Sequence, residues 1–402
     1  MRLQGEDVIV GAGPAGLAVA AVLRRGGRDP IVLERGDRVG GSWRSRYDCL
    51  RLNTARWWSS LPGLAIPRRL GTWVAASDYA DYLELYAQHH QLHVRFGVEV
   101  NGISRRGGAW SVATSRGEIE ATNVVIATGY DREAFIPPWP GLDRFSGSLM
   151  HASEYRNPDR FAGRRVLVVG AGNSAADIAV DLVRGGAARV WISIRTPPQV
   201  VPRTVGGVPM QTVAIATRTL PPWVGDAIVR AAQKLAHGDL TRHGVPPPRE
   251  TVSTQFRRGD VVPVIDVEFV RRLKAGELEA VAAVTEFERD RVVLADGSDV
   301  APEAVVAATG YRRGLEGLVG DLGVLDARGL PVSGAPDSGL RGLYFAGFTN
   351  PLSGNIRELG IHARQIADRI RNTGLATTQQ RAPQPVDLGG TQRHAASSHR
   401  QP

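Results

Sequence analysis

The stretch DVIVGAGPAGLAVAAVLRRGG, residues Asp7–Gly27, decides the fold of this chain. A run of β-branched residues precedes a glycine-rich turn, a helical pattern of small apolar residues and a Gly-Gly stop. A second β-branched run follows at Pro30–Glu34. This order predicts a strand, a helix and a second strand that lies parallel to the first.

A second stretch, RVLVVGAGNSAADIAVDLVRGG at Arg165–Gly186, repeats this plan and leads into a β-branched run at Arg189–Arg195. The first glycines of the two turns, Gly11 and Gly170, are too far apart in the chain to belong to one nucleotide site. We therefore predict an α/β fold with two Rossmann-like dinucleotide-binding domains.

Two further strands echo each other, VVIATGYD ending at Asp131 and VVAATGYR ending at Arg312. If both belong to the first domain, the second domain interrupts it as an insertion. The tail lacks periodicity and large apolar residues, so we expect it to be disordered. The predicted boundaries are a first domain at 1–157 and 283–371, an inserted domain at 158–282 and a disordered tail at 372–402.

The formal net charge of +9 comes almost wholly from arginine, because only Lys234 and Lys274 among the 49 basic residues are lysines. The basic residues are scattered among acidic neighbours, so we expect no nucleic-acid partner. We expect no transmembrane segment either, because the chain has no apolar run long enough to cross a bilayer. The N-terminus has no signal-peptide pattern.

The chain has one cysteine, Cys49. This count excludes an internal disulfide framework, a cysteine-rich metal centre and a CxxC redox pair. His89, His90 and His93 lie close in sequence but do not complete a zinc ligand set, so we predict no metal site. A lone thiol fits a reducing compartment, and we expect a cytoplasmic location.

The turn Gly11-Ala12-Gly13-Pro14-Ala15-Gly16 has the pattern of a dinucleotide site. Its first glycine permits a tight turn, its second lets a pyrophosphate approach the backbone, and its third allows close helix–strand packing. Glu34 ends the second strand, where a carboxylate accepts from ribose hydroxyls. We assign FAD to this site, the alternative being a glycine turn that serves packing alone.

The second turn reads Gly170-Ala171-Gly172-Asn173-Ser174-Ala175, with alanine in place of the third glycine. Its second strand ends in Ser193-Ile194-Arg195 and has no carboxylate there. An acid would repel a 2′-phosphate and an arginine pairs with it, so we expect NADPH at this site, with Ser193 adding a hydrogen bond. The alternative for Arg195 is a solvated charge at a strand end.

Two dinucleotide sites in one chain indicate that a nicotinamide reduces a bound flavin. Thioredoxin-reductase-like enzymes share this plan but need a cysteine pair, which this chain lacks. The acceptors that remain for the electrons are molecular oxygen, a quinone or an external protein.

The segment between the two turns, Phe145-Ser-Gly-Ser-Leu-Met-His-Ala-Ser-Glu-Tyr155, fits the pattern FxGxxxHxxx(F/Y/W). This pattern resembles the signature of the class B flavin-dependent monooxygenases. The segments Gly40–Trp43, His237–Pro248 and Val261–Val281 are similar to members of the flavin-containing monooxygenase and YUCCA-like branch. Baeyer–Villiger members resemble the chain less, because tryptophan usually ends their motif.

The resemblance implies an NADPH- and FAD-dependent monooxygenase that inserts one oxygen atom of O2 into a small organic substrate through a flavin hydroperoxide. The substrate stays open between an amine, a sulfide, a ketone and a 2-oxo acid. Asn53 matches the asparagine that helps to position oxygen in the family, the alternative being a turn residue. For His151 an orienting role is favoured over a catalytic one.

The cofactor-binding residues that we predict lie in the two glycine turns, at neighbouring strand ends or in segments that resemble the family's flavin site. They are Gly11, Gly13, Pro14, Ala15, Gly16, Glu34, Arg35, Gly41, Trp43, Val100, Thr128, Gly129, Gly170, Gly172, Asn173, Ser174, Ser193, Arg195, Gly310 and Gly347.

Two other functions stay open from the sequence alone. An NADPH oxidase or flavin reductase without an oxygenated product shares both glycine turns, and a flavin-binding redox sensor is a non-enzymatic alternative. The amphipathic stretch Trp223–His237 fits a lid over a substrate channel or a surface for a membrane or partner. The oligomeric state also stays open, with a homodimer as one candidate.

Overall fold

A computed structural model of the protein describes residues 3–258, 262–332, 336–349, 351 and 353–381. Two predominantly parallel sheets form the centres of two units, and the chain passes from the first unit to the second and back. This is the expected α/β architecture with two Rossmann-like domains.

The first unit begins with the predicted strand, helix and strand. Helix α1 begins at Pro14 because proline suits the first helical position and Gly13 precedes it as the N-cap. Its elements are β1 (Leu3–Val10), α1 (Pro14–Arg25), β2 (Ile31–Leu33), α2 (Gly41–Arg44), α3 (Ala76–His89), β3 (His93–Arg95), β4 (Val100–Arg106), β5 (Ala109–Thr114) and β6 (Gly117–Ile126). The strand order is β3-β2-β1-β6-β5-β4, in which the first four strands run parallel.

The second unit repeats this plan around α4. The elements that lead through it are β7 (Glu133–Ala134), β8 (Ser148–His151), β9 (Arg165–Val169), α4 (Asn173–Arg184), β10 (Arg189–Ser193), β11 (Val200–Pro202), β12 (Thr204–Val205), β13 (Val208–Pro209), α5 (Met210–Thr217), α6 (Pro222–His237), α7 (Val252–Arg258), β14 (Val264–Asp266), α8 (Phe269–Lys274) and β15 (Glu279–Val281).

The chain then forms β16 (Val284–Phe287), β17 (Val292–Leu294), β18 (Asp299–Val300), β19 (Ala304–Ala307), β20 (Tyr311–Arg312), α9 (Glu316–Val319), β21 (Leu343–Phe345) and α10 (Asn355–Arg381). The second sheet has the order β15-β10-β9-β19-β8 and is parallel throughout. Strand β21 returns to the first sheet beside β6, and α10 packs against α1.

The position of β19 corrects the predicted domain boundaries. The strand of VVAATGYR pairs with β9 and not with the first sheet, and β8 pairs with β19 from before the predicted boundary at residue 158. The sequence echo has a simple reason: β19 lies beside β9 as β6 lies beside β1, so each domain has its own Thr-Gly strand end. The second unit therefore extends from about Ser148 to Ala307.

The predicted start of the tail at residue 372 is also corrected. Helix α10 continues to Arg381. The remainder of the predicted tail, 382–402, lies outside the described residues.

Candidate active site

The three glycines of the first turn have three different environments. Gly11 has a φ of +108°, and a Cβ there would lie 2.6 Å from the carbonyl oxygen of Ala127. A Cβ at Gly16 would overlap the carbonyl oxygen of Gly11, whereas a Cβ at Gly13 would meet no protein atom within 4 Å. The space beside Gly13, at the N-terminus of α1, is thus left open by the protein, as a phosphate-binding turn requires.

The Glu34 carboxylate holds this turn in place. Its Oε2 accepts a hydrogen bond from the Ala12 N–H at 2.8 Å, and its Oε1 accepts one from the Gly36 N–H at 2.9 Å. A carboxylate has about four acceptor positions, so both oxygens keep acceptor capacity. Glu34 also lines the adjoining cavity and can therefore accept from a ribose there.

A first cavity of about 580 Å³ begins at this turn and ends near the N-terminus of α10. Most of the residues that we predicted for the flavin line its wall. They are Gly11, Gly13, Pro14, Ala15, Glu34, Arg35, Gly41, Trp43, Val100, Thr128, Gly129 and Gly347. Gly16 lies behind the wall, and Gly310 follows β19 of the second sheet.

Two polar atoms at this cavity are buried and have no hydrogen-bond partner among the described residues, Oγ1 of Thr128 and Oδ1 of Asn355. An unsatisfied buried polar atom is costly, and most such atoms have partners in folded proteins. These atoms, the open space at Gly13 and the Glu34 carboxylate fit a bound dinucleotide such as FAD. The sequence did not single out Asn355, which begins a helix more than 300 positions after the glycine turn.

The second glycine turn repeats the geometry of the first. Gly170 has a φ of +140° and lies against the Ala308 carbonyl, whereas a Cβ at Gly172 would meet no protein atom within 4 Å. We predicted that Asn173 binds the cofactor, but its side chain forms hydrogen bonds with the protein backbone. Its amide donates to the Pro263 carbonyl at 2.9 Å and its Oδ1 accepts from the Ile265 N–H at 2.8 Å.

The two residues at the end of β10 differ from each other. Ser193 is buried, donates to the Ala282 carbonyl at 2.9 Å and accepts from the Val284 N–H at 3.2 Å. The prediction of a phosphate contact for Ser193 is therefore corrected, because its hydroxyl fastens β10 to the next segment. Arg195 is exposed and follows a strand end without a carboxylate, which fits the 2′-phosphate of NADPH.

A second cavity of about 820 Å³ lies between the two units and is lined mainly by apolar side chains. Ser174 of the second turn lies on its wall, and so does Asn53. The irregular region between β10 and β14 supplies much of the remaining wall through α5 and α6. One face of α6 lines the cavity at Ile228 and Val229, and the other exposes Trp223 and Leu235.

The two cavities meet. Four residues, Trp43, Arg46, Asp131 and Asn355, line both of them. Arg46 forms an ion pair with Asp131, and Trp43 packs edge-on against Tyr79 with ring centroids 4.8 Å apart. A flavin in the first cavity therefore adjoins the second cavity at this junction.

The chain has close relatives of known kind. A family model described as pyridine nucleotide-disulphide oxidoreductase matches residues 8–204. The indole-3-pyruvate monooxygenase YUCCA1 of Oryza sativa subsp. japonica is 36% identical over 350 residues, which are 85% of this chain and 86% of the relative. The probable indole-3-pyruvate monooxygenase YUCCA9 of Arabidopsis thaliana is 32% identical and covers 92% of this chain and 90% of its own.

The chain belongs to the YUCCA-like branch of the class B flavin-dependent monooxygenases. It is an oxidoreductase that uses FAD, NADPH and O2 on a small-molecule substrate.

Solved structures agree with this membership of the class B family. A double mutant of the flavin monooxygenase from Stenotrophomonas maltophilia is 25% identical and superposes with a TM-score of 0.68, covering 91% of this chain and 99% of its own. Cyclohexanone monooxygenase from Rhodococcus sp. Phi1 bound to NADP+ shares the fold at 21% identity and a TM-score of 0.66. The match covers 93% of this chain and 85% of that structure's chain. In the described part of the class B enzyme, no helix is both long and apolar enough to cross a membrane.

His151 of the class B motif lies off both cavity walls, and its side chain is buried. Its Nδ1 accepts from the Ser153 N–H at 3.1 Å, so the proton lies on Nε2, which donates to the Gly310 carbonyl at 3.0 Å. Burial lowers the pKa of His151, in agreement with a neutral ring. His151 thus ties β8 to the end of β19, and it packs edge-on against Tyr311, which lines the first cavity.

The aromatic residue that ends the class B motif joins a pair of hydrogen bonds on α4. Tyr155 is fully buried and donates to Asp181 at 2.8 Å. One turn away, Tyr47 of the first unit donates to Asp177 at 2.9 Å, and burial raises the pKa of Asp177 to about 6. Helix α4 is therefore hydrogen-bonded both to the motif and to the first unit.

Proposed function

We propose that this monooxygenase acts on an aromatic 2-oxo acid of the indole-3-pyruvate type. The observation that carries the proposal is the junction of the cavities, because it gives a substrate in the second cavity access to the flavin in the first. The largely apolar wall suits an aromatic side chain. The names of the relatives at 36% and 32% identity support this substrate class.

Bound FAD supplies hydride acceptance from NADPH and the activation of O2. The open turn at Gly13 and the N-terminus of α1 bind its pyrophosphate, and Glu34 accepts from its ribose. The unpartnered Oγ1 of Thr128 and Oδ1 of Asn355 would form hydrogen bonds with polar groups of the bound flavin nucleotide. For NADPH, the turn at Gly172 takes the pyrophosphate and Arg195 takes the 2′-phosphate.

The other residues of the site position the reactants and exclude water. Asn53 lines the second cavity, and its amide forms hydrogen bonds there without acting as a base. The apolar faces of α5 and α6 keep water away from the junction, as an oxygen-activating site requires. His151 acts as a positioning residue, since it holds the Gly310 turn close to the wall of the flavin cavity.

The proposed reaction balances. NADPH supplies two electrons as a hydride, and this hydride and one proton account for the hydrogens of the water in which one oxygen atom of O2 leaves. The other oxygen atom is added at C2 of the 2-oxo acid. The C1–C2 bond breaks, the carboxyl group leaves as CO2, and an acid shorter by one carbon remains.

A substrate panel tests the proposal. Purified holoenzyme with NADPH is offered indole-3-pyruvate, phenylpyruvate, a tertiary amine, a thioether and cyclohexanone, and oxygenated product is quantified against NADPH consumed. We expect product from the two 2-oxo acids in proportion to NADPH. Product from the amine or thioether alone would reject the substrate class, and hydrogen peroxide in place of any product would favour the NADPH oxidase alternative.

The cellular location and assembly are also part of the proposal. We expect the enzyme in the cytoplasm, on the grounds of its single cysteine, and a homodimer as one candidate assembly. Cell fractionation and light scattering of the holoenzyme measure these two properties.

A further inference from the structure

The side chain of Arg203 occupies an unusual position on the wall of the second cavity. It follows β11 and stacks over the Trp73 ring, with Cζ 4.4 Å from the ring centroid. Among the described residues, its buried Nε has no hydrogen-bond partner, and its Nη2 makes only a long hydrogen bond of 3.4 Å to the Leu52 carbonyl. No carboxylate of the described residues forms an ion pair with this guanidinium.

The carboxylates that line the second cavity do not pair with Arg203, although Asp177, which is not on this wall, attracts its charge. Two carboxylates line the wall, and both are already engaged. Asp131 pairs with Arg46, and Asp226 accepts from the N–H and the hydroxyl of Ser253 at 2.9 and 2.6 Å. The wall therefore has an excess of positive charge.

Arg51 adds to this excess from the neighbouring segment. It lines the same cavity and donates to the Trp73 carbonyl at 3.2 Å, so that the two arginines flank one tryptophan. Burial lowers the pKa of Arg203, Asp177 raises it and the charge of Arg51 lowers it further. A half-buried guanidinium beside a second one is costly unless an anion joins it.

We propose that Arg203 binds the carboxylate of the substrate and thereby selects 2-oxo acids over neutral carbonyl compounds. This inference rests on the proposed function and adds the residue that recognises its substrate class. A guanidinium presents donors in a fixed fork that matches a carboxylate, and the stacked Trp73 ring holds that fork in place. Because Arg203 bonds to the Leu52 carbonyl, the carboxylate binds next to Asn53.

The cavity could instead use this charge for a phosphate of NADPH, and the experiment separates the two ligands. Wild type, Arg203→Gln and Arg203→Lys are prepared as holoenzymes and checked for flavin content and melting temperature. Calorimetry at saturating NADP+ gives Kd for indole-3-acetate, a carboxylate that lacks the reactive keto group, and for indole-3-acetamide, its neutral counterpart. Steady-state kinetics give KM for NADPH.

We expect Arg203→Gln to raise Kd for indole-3-acetate by ~10–100-fold, the loss of a hydrogen bond to a charged group. Kd for indole-3-acetamide and KM for NADPH should change less than about twofold on the same grounds, because neither ligand loses that ion pair. Arg203→Lys should recover part of the affinity for indole-3-acetate, since lysine keeps the positive charge but lacks the paired donors of the guanidinium. The control is Arg312→Gln, because Arg312 stacks over Phe135 at 4.6 Å but lines neither cavity.

An equal rise in Kd for indole-3-acetate and for indole-3-acetamide would overturn the proposal in favour of a structural role for Arg203. A rise in KM for NADPH with an unchanged Kd for indole-3-acetate would overturn the proposal in favour of a contact between Arg203 and the cofactor. Failure of the proposed function has a different signature, because it shows in the wild type as absence of product from 2-oxo acids.

Discussion

Replacing Gly13 by alanine separates cofactor binding from folding. Gly13 has φ −79° and ψ 179°, an extended conformation that alanine adopts without strain. The added Cβ meets no protein atom within 4 Å, so the protein itself accommodates it. Alanine has less conformational freedom than glycine in the unfolded chain, so this substitution stabilises the folded state by ~0.4–1 kcal/mol. The weaker N-cap costs a similar amount, and unfolding of the apoprotein should change by less than about 1 kcal/mol.

The same methyl group occupies the space that we assign to the pyrophosphate of FAD. We expect at least ~100-fold weaker FAD binding, or about 2.7 kcal/mol. Flavin is removed, Kd is measured by fluorescence titration with FAD, and apoprotein stability is measured by urea unfolding. Gly16→Ala is the matched control, because its Cβ overlaps the Gly11 carbonyl and should unfold the apoprotein itself. A Gly13→Ala protein that binds FAD as tightly as wild type would refute the assignment of the turn.

Two further predictions concern the second unit. Arg195→Ala should raise KM for NADPH by ~10–100-fold and leave KM for NADH unchanged, since only NADPH has the 2′-phosphate; equal changes would remove Arg195 from this contact. The second concerns Asp177, whose pKa is raised to about 6 when folded, so the folded state binds more protons than the unfolded state between about pH 4 and 6. Wild-type stability should therefore fall as pH rises through this window by up to ~3 kcal/mol relative to Asp177→Asn; parallel urea-unfolding profiles would contradict it.

The sequence was sufficient to predict the local features of the fold. Each glycine turn determines its own strand, turn and helix, so the different roles of Gly11, Gly13 and Gly16 followed from a few neighbouring residues. The placement of β19 did not follow, because two equivalent strand ends give the same local pattern in either sheet. Only the pairing of Ala304–Ala307 with β9 and β8 decides between them.

The candidate site was predictable to the same degree. The residues near the turn that we predicted for the flavin line the first cavity, whereas Asn355 was missed because it reaches this cavity from the last helix. The Tyr47–Asp177 hydrogen bond was missed for the same reason, since it joins residues 130 positions apart. Ser193 differs from these residues. It lies at the predicted position at the end of its strand, but its hydroxyl is hydrogen-bonded to the backbone of a later segment.

The proposed function requires oxygen transfer to a substrate in the cavity that adjoins the flavin cavity. The most direct measurement is turnover of indole-3-pyruvate with NADPH under labelled ¹⁸O₂, followed by mass spectrometry of the product and by assay of hydrogen peroxide. We expect one labelled oxygen atom in each product molecule and one NADPH consumed for each product molecule formed. Unlabelled product, or NADPH electrons recovered wholly as hydrogen peroxide, would contradict it.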